Sequence, residues 1–180
     1  MSEENMLKSG MGQPYSPAER TAVYRAIRER RDMRHFAGGT VAPEVLERLL
    51  GAAHLGPSVG FMQPWRFIRV TDAALRDQLH ACVEAERQCT ADALGQRRED
   101  FLRLKVEGVR DAAELVVVAL ADGREAHVFG RRTLPHMDLA SVACAIQNLW
   151  LAARAEGLGM GWVSLFDPAA VARLMGMPEG

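Results

Sequence analysis

The sequence lacks the features that mark secreted, membrane-spanning or nucleic-acid-binding proteins. Its uncharged runs, among them the apolar stretch of residues 139–153, are shorter than the ~20 residues that a membrane span needs. The N-terminal segment MSEENMLKSGMG is polar and acidic, unlike a signal or transit peptide. The net charge of −1 creates no overall field that would attract nucleic acid or a membrane surface. We therefore expect a cytoplasmic protein without nucleic-acid or membrane partners, in which any anion site is local.

Cysteine is scarce, and the common metal and nucleotide motifs are absent. The three cysteines, Cys82, Cys89 and Cys144, form no CxxC pair, and this odd number is typical of a reducing compartment. The five histidines are scattered and form no HExxH motif, so the sequence predicts no metal site. GxGxxG before a helix does not occur, which argues against a dinucleotide fingerprint, and Ser164 has no His or Asp partner at motif spacing that would make it a hydrolytic nucleophile.

What is present is the composition of one globular domain, with 48% hydrophobic and 25% charged residues. Hydrophobic periodicity, capping residues and Gly or Pro breaks place the secondary structure. Helices are predicted at 17–30, 43–55, 72–94, 96–113 and 136–156, with a short one from Pro168, and strands at 65–70, 115–121 and 160–166. This mixture predicts an α+β fold with a mixed central β-sheet wrapped by helices.

Two of these elements predict how the domain is built. The β-branched run 115–121 is typical of a central strand that is buried on both faces. The helix 136–156 is apolar nearly all round, so it forms either the long buried axis of the domain or part of a subunit interface. Residues 1–15 are predicted to be a flexible tail, and residues 16–180 to be one domain.

An arginine-rich segment is the first candidate for chemistry. Residues 28–34 (RERRDMR) carry four arginines, whose planar forks of donors suit phosphate oxygens. Arg30 and Arg34 are four positions apart, so on a helical turn they would point the same way and could grip one phosphate. The alternative is a solvated helix end whose cations favour the helix dipole, with Asp32 paired to neighbouring arginines.

Two glycine-containing segments are the other candidates. Residues 56–65 (GPSVGFMQPW) place apolar side chains beside Ser58 and Gln63, a mixture that suits a flat aromatic ligand with polar edges. The alternative is that the aromatic residues plug the core. Residues 157–164 (GLGMGWVS) alternate glycines, which would let the backbone approach a ligand closely. The alternative there is a helix cap and a tight turn.

Taken in order, the segments RRDMR (30–34), PSVGFMQPWRF (57–67) and GLGMGWVS (157–164) resemble the nitroreductase-like flavoprotein superfamily. Within it, the stretches GAAHLGPSVGFMQPW, LKVEGVR, MDLASVACAIQNLWLAARAEGLGMGWVS and LMGMPEG are most similar to the branch formed by the 5,6-dimethylbenzimidazole synthases. The resemblance covers roughly residues 17–180. It implies the nitroreductase-like fold, FMN and a homodimer. Because that branch continues past the final PEG, we expect part of the C-terminal domain to be missing.

The resemblance also implies roles for individual residues. Asp32, which replaces a serine common in ordinary nitroreductases, and Ser164 are the implied catalytic residues. The loop around Ser58 approaches FMN from the neighbouring subunit, and residues 104–108 resemble a lid over the flavin. The implied flavin-binding residues are Arg30, Arg31, Asp32, Met33, Arg34, Ser58, Gly60, Met62, Gln63, Val163 and Ser164.

The reaction implied by this branch is the O2-dependent fragmentation of reduced FMN. Its products are 5,6-dimethylbenzimidazole, the lower ligand of cobalamin, and erythrose 4-phosphate, and a separate flavin reductase would supply the reduced FMN. One alternative is an NAD(P)H-dependent FMN nitroreductase or dehalogenase, against which Asp32 and the LKVEG segment argue. The other is a non-catalytic flavin-binding protein.

Overall fold

The computed structural model describes residues 14–103, 105–126 and 128–178. Most of the predicted tail lies outside these ranges. The chain divides into two units, one that ends at Arg30 and one that begins at Arg31. The first contains helix α1 (Pro17–Glu29), which begins where the sequence predicts. There, the Ser16 hydroxyl accepts from the Glu19 N–H, and the Glu19 carboxylate accepts from the Ser16 N–H at 2.8 Å.

The second unit contains the remaining helices and the sheet. Its elements are α2 (Pro43–His54), β1 (Trp65–Arg69), α3 (Ala73–Ala93), α4 (Arg98–Leu102), α5 (Gly108–Asp111), β2 (Val116–Leu120), α6 (Met137–Ala155) and α7 (Pro168–Leu174). The prediction of one helix over 96–113 is wrong, because α4 and α5 are separate. Between α4 and α5 the chain places Val106 in the hydrophobic core, where only 7% of its surface is exposed.

The sheet is smaller than predicted. Strands β1 and β2 pair antiparallel, from Trp65 opposite Leu120 to Arg69 opposite Val116. Within the described residues, the predicted strand 160–166 forms only a single parallel bridge, between Met160 and Asp32. The backbone at Met160 pairs with the short segment around Asp32 and not with a long strand, so no ladder of hydrogen bonds forms there. As a result β2 has one strand neighbour among the described residues and is half-buried along its length, whereas the sequence predicted full burial.

Helix α6 organises one of the two hydrophobic clusters of the second unit. It packs closely on α2, where Ala53 and Ala145 are both fully buried. A Cβ atom on Gly56 would lie only 3.0 Å from the Ala145 Cα atom, which explains the glycine at the end of α2. Among the described helices, none is both long and apolar enough to cross a membrane.

The predicted all-round burial of α6 holds on one side only. Its buried face runs from Ser141 to Trp150 and Ala153. The other face leaves Leu139 57% exposed, and Cys144 is exposed beside it. Of the two roles that the sequence predicts for this helix, the exposed uncharged face favours the subunit interface over an axis that is enclosed by its own domain.

Candidate functional site

Asp32 lies where two of the three predicted segments meet. One oxygen of its carboxylate accepts the backbone N–H of Trp162 at 3.1 Å, and the other pairs with the guanidinium of Arg34. One residue further on, the Met33 N–H donates to the Met160 carbonyl at 3.0 Å. The carboxylate is thus oriented by two donors, yet its side chain stays 35% exposed and can reach a ligand.

Two glycines of the 157–164 segment allow its backbone to pass close to the Asp32 segment. A Cβ atom on Gly159 would lie 3.0 Å from the Met33 Cγ atom, and one on Gly161 would collide with the Met33 carbonyl oxygen. The close backbone approach that the sequence predicts is therefore present. In this structure the partner is the Asp32 segment, so the glycines place the Trp162 N–H within reach of the carboxylate.

The C-terminal half of α6 anchors the same region. The indole N–H of Trp150 donates to the carbonyl of Arg31 at 3.2 Å. Its ring also meets the ring of Trp162 edge-on, with 6.4 Å between the centroids. Trp162 is 42% exposed, so an aromatic surface lies open next to the carboxylate of Asp32.

The other predicted residues of these segments are placed less tightly. Val163 packs at the edge of a core cluster, and Ser164 is exposed two positions after Trp162. Arg31 is exposed. Arg30 belongs to the first unit, where its N–H caps α1 through the Ala26 carbonyl at 3.0 Å.

The loop between α2 and β1 is held by hydrogen bonds from both ends. The Val59 N–H donates to the Ser141 hydroxyl at 3.0 Å, and the Gln63 N–H donates to the Ser58 hydroxyl at 3.0 Å. The Gln63 amide also donates to the His54 carbonyl at 3.2 Å. These bonds shape the loop whose residues Ser58, Gly60, Met62 and Gln63 are predicted to bind the flavin.

The sequence left open whether the aromatic residues of this loop face a ligand or plug the core, and the structure shows one residue of each kind of placement. Trp65 is buried and donates its indole N–H to the His54 Nδ1 atom at 3.2 Å, so it does plug the core. Phe61, in contrast, is 82% exposed. The loop therefore combines a core anchor with an aromatic side chain that nothing in the described chain covers.

This loop and the Asp32 segment are anchored at different points of α6. The loop is tied to α6 at Ser141, whereas the Asp32 segment is tied to the same helix at Trp150. Nine residues of α-helix separate the two anchors, which corresponds to roughly 14 Å. The structure thus brings together two of the three predicted segments and places the third further along the helix.

The sequence analysis missed a buried ion cluster next to the loop. Asp138, 4% exposed in the first turn of α6, accepts from Arg124 at 3.0 Å and pairs with Arg131 at 3.2 Å. The cluster holds residues 122–126 and 128–136 near the loop, where a Cβ atom on Gly60 would lie 3.1 Å from the Phe129 ring. The available signal was an acidic residue in a first helical turn, which pointed to capping alone.

The predicted lid is anchored at its centre. Leu104 lies outside the described residues, and Lys105 is exposed. Val106 is buried in the core, and a Cβ atom on Gly108 would lie 2.7 Å from the ring of Phe36. Opening of the whole 104–108 segment would therefore require Val106 to leave the core.

An open groove of about 620 Å³ lies between α2 and β1, lined among others by Leu46, Leu50, His54 and Phe67, and none of its lining residues is a predicted site residue. Over residues 14–103, 105–126 and 128–178, no group of three or more His, Cys, Asp and Glu residues is arranged to hold a metal ion.

The residues around Asp32 fit FMN. Arg34 has donors beyond the one that pairs with Asp32, and guanidinium groups are suited to phosphate oxygens. The exposed ring of Trp162 provides an apolar surface, and the oriented carboxylate supplies a proton acceptor. These three groups match three parts of FMN, which are its phosphate, its aromatic ring system and the edge of the ring that reacts.

The chain is similar to several known flavoproteins and enzymes. A 5,6-dimethylbenzimidazole synthase of Rhodospirillum rubrum is 40% identical over 172 residues, which cover 93% of this chain and 80% of that protein. An iodotyrosine deiodinase structure with FMN and 3-iodo-L-tyrosine superposes with a TM-score of 0.68 at 24% identity, covering 87% of this chain and 82% of that one. A putative nitroreductase from Desulfovibrio desulfuricans in complex with FMN gives 0.63 at 25% identity, covering 92% and 79%. The model of the nitroreductase family matches residues 27–180, and the chain belongs to that family.

Proposed function

We propose that the chain catalyses the O2-dependent fragmentation of reduced FMN to 5,6-dimethylbenzimidazole and erythrose 4-phosphate, the reaction that supplies the lower ligand of cobalamin. The observation that carries the proposal is the oriented carboxylate of Asp32, held by the Trp162 N–H and Arg34. The 40% identical relative from Rhodospirillum rubrum, named a 5,6-dimethylbenzimidazole synthase, supports the same reaction.

Bound FMN supplies the ring that is oxidised and cleaved, and the protein supplies acid–base groups and orientation. The Asp32 carboxylate accepts a proton while the N–H of Trp162 keeps the group oriented. Such positioned acid–base catalysis contributes ~10²–10⁴-fold to a rate. The exposed hydroxyl of Ser164 follows in the same segment and is the second proposed catalytic group.

Cationic side chains next to Asp32 would hold the phosphate. Arg31 and Arg34 flank Asp32 and Met33, and Arg30 directly precedes them in the sequence. Each guanidinium presents planar donors that match phosphate oxygens. Since Arg34 also pairs with Asp32, we propose that it links the phosphate end of the flavin to the orientation of the carboxylate.

We propose that the active form is a homodimer in the cytoplasm and that a separate flavin reductase supplies reduced FMN. The α2–β1 loop and the Asp32 segment are anchored to α6 roughly 14 Å apart, and the resemblance implies that this loop approaches the flavin of the neighbouring subunit. The exposed face of α6 with Leu139 and Cys144 offers an uncharged surface for that copy.

The test is aerobic incubation of the purified chain with chemically reduced FMN, followed by chromatography for 5,6-dimethylbenzimidazole. Formation of this product supports the proposed reaction. Recovery of intact FMN, together with steady NAD(P)H consumption in a parallel assay that supplies NAD(P)H, would contradict it and would indicate a nitroreductase or dehalogenase activity. The same incubation without O2 is the control, because the proposed cleavage requires O2.

A further inference from the structure

Asp32 lies in a part of the chain that has almost no regular structure of its own. Residues 30–42 form neither helix nor strand apart from the single bridge at Asp32. Hydrogen bonds within a helix or a strand therefore do not hold this backbone, and its polar groups need partners elsewhere. The bond from the Met33 N–H to the Met160 carbonyl is one such contact. The direction of the carboxylate depends on contacts of this kind as well as on its pairing with Arg34.

Trp150 supplies contacts on both sides of this carboxylate. Its indole N–H donates at 3.2 Å to the carbonyl of Arg31, the residue directly before Asp32. Its ring meets edge-on the ring of Trp162, whose own backbone N–H donates to the Asp32 carboxylate at 3.1 Å. One side chain thus contacts both the segment that carries the carboxylate and the residue that orients it.

Helix α6 gives Trp150 a fixed position. The side chain is 7% exposed and lies on the buried face of the helix, one turn after Ile146, which is 5% exposed. On the same face Ala145 is fully buried where α6 packs on α2. Since a close-packed interior leaves a large ring little room to move, displacement of Trp150 would require the core around α6 to rearrange.

Burial of a tryptophan does not by itself indicate a role, because a buried indole N–H usually finds an acceptor. Trp65 shows the ordinary case, since it is 4% exposed and donates at the same distance of 3.2 Å to the His54 Nδ1 atom. Trp150 differs from it in two respects. Its acceptor is the main-chain carbonyl next to Asp32, and its ring contacts Trp162.

We propose that Trp150 is a positioning residue that fixes the direction of the Asp32 carboxylate through the Arg31 carbonyl and the ring of Trp162. A catalytic group has to be held near its productive geometry by neighbours whose own conformations are locked by packing. Because Trp150 is buried, it acts through these two neighbours and not on the ligand. This inference rests on the proposed function, because it assumes that Asp32 takes part in catalysis.

The first test is hydrogen exchange in the apoprotein. The chain contains three tryptophans, so the NMR spectrum of isotope-labelled tryptophan has few signals. Trp150→Phe keeps a ring but removes the N–H donor, and the backbone N–H of Trp162 should then exchange about tenfold faster. Trp65→Phe makes the same chemical change at the bond to His54 and should leave this rate unchanged. An unchanged rate in Trp150→Phe, or an equal increase in Trp65→Phe, would overturn the inference.

The wild type provides a check that needs no variant. If the indole N–H of Trp150 donates to the Arg31 carbonyl, it should exchange slowly with solvent. Exchange at the rate of free tryptophan would overturn the inference, even if Trp150→Phe does not fold.

The second test compares product formation with flavin affinity in Trp150→Phe, below the Tm of the variant. The rate of 5,6-dimethylbenzimidazole formation at saturating reduced FMN should fall about tenfold, because the carboxylate is less well oriented. The affinity for oxidised FMN in a fluorescence titration should stay the same, because Arg34 and the ring of Trp162 remain. A parallel loss of rate and affinity would mean that Trp150 supports the site as a whole, and the positioning role would be overturned.

The two tests separate this inference from the proposed reaction. If the wild type forms no 5,6-dimethylbenzimidazole, the reaction is refuted, and the exchange rate of the Trp162 N–H in the apoprotein still decides whether Trp150 holds the Asp32 segment. If the wild type forms the product and Trp150→Phe forms it equally fast, the reaction stands and the positioning role is overturned.

Discussion

Asp32 owes its orientation to a residue that is remote in the sequence. The N–H that its carboxylate accepts belongs to Trp162, 130 positions later, and the other oxygen pairs with Arg34. The sequence alone indicated that Asp32 pairs with neighbouring arginines. It also indicated that the glycine-rich backbone of residues 157–164 approaches a partner closely. It did not indicate that the glycine-rich backbone and Asp32 are each other's partners.

Replacement of Asp32 by asparagine tests its acid–base role. The asparagine side chain would keep an oxygen that accepts the Trp162 N–H but could not take up a proton at neutral pH. We expect FMN binding to be retained in Asp32→Asn and product formation to fall by ~10²–10⁴-fold. Fluorescence titration and chromatography of the product measure the two effects. Asp92→Asn, at a surface ion pair with Arg98, is the matched control. Undiminished product formation with normal FMN binding would remove Asp32 from the mechanism.

The role of Arg34 can be separated into phosphate binding and positioning. In Arg34→Gln, loss of a charge-assisted hydrogen bond to phosphate should weaken FMN binding about tenfold or more, while riboflavin, which has no phosphate, should bind as before. Both affinities come from fluorescence titrations. Arg103→Gln, in a surface pair with Asp100, controls for the change in net charge. An equal loss for both flavins would mean that Arg34 acts only by orienting Asp32.

At the scale of elements, the described segments 122–126 and 128–136 depend on the buried carboxylate of Asp138. Asp138 is paired with both Arg124 and Arg131, whose side chains are 18% and 12% exposed. Removal of its charge would leave two arginines without their shared anion. We expect Asp138→Asn to lower the free energy of unfolding by about 3 kcal/mol, measured by urea denaturation. Asp122→Asn, exposed on the same stretch of chain, should have little effect. A small loss in Asp138→Asn would mean that the segment is held by other contacts.

Helix α3 is tied to α4 by a network that predicts a pH dependence. Arg87 donates to the Leu102 carbonyl at 2.7 Å and forms two hydrogen bonds with the Glu84 carboxylate, at 2.8 and 2.9 Å. The hydrogen bond from Arg87 is the main reason that the pKa of Glu84 lies below its ordinary value of 4.5, although burial opposes it. A lowered folded-state pKa stabilises the fold above the unfolded-state pKa, and this contribution is lost as the pH falls through the folded-state pKa.

Glu84→Gln should therefore be less stable than the wild type at pH 7, by about 0.5–1 kcal/mol. The difference should shrink as the pH falls below 4.5, because the wild-type carboxylate is then protonated too. Urea denaturation over this pH range measures it. Glu99→Gln, exposed in α4, is the control and should follow the wild type. A difference that is independent of pH would indicate loss of packing in place of the ionised hydrogen bond.

At the scale of the whole molecule, the proposed site is shared between two copies. If Asp32 of one copy works with Gln63 of the other, a mixed dimer of an Asp32→Asn chain and a Gln63→Ala chain contains one intact site. Purified through two different tags, such a dimer should show about half of the wild-type activity, since one of its two equivalent sites is complete.

The reciprocal dimer is the control. A wild-type chain paired with a chain that carries both substitutions has one defect in each shared site, so it should be nearly inactive. If both residues instead serve the site of their own chain, the two results are reversed. Product chromatography on the two purified dimers thus decides between a shared site and a site within one chain.

Local signals in the sequence determined where the long elements begin and what kind they are. Ser16 with Glu19 set the start of α1, Pro43 opens α2, and the Gly56-Pro57 pair ends it. Each of these depends on contacts within a few residues, which sequence patterns record. The segments around Asp32 and the 157–164 turn, and the family itself, were recognisable for the same reason, since short motifs carry them.

Only the tertiary structure decided the rest, because it depends on contacts between distant residues. The third strand is reduced to one bridge since residue 160 meets residue 32, and the helix predicted over 96–113 breaks where Val106 enters the core. The exposed face of α6 and the left-handed conformation of Phe61 follow from how the loop and helices pack. Sequence periodicity reports which residues can be buried, whereas three-dimensional packing determines which of them find a partner within their own chain.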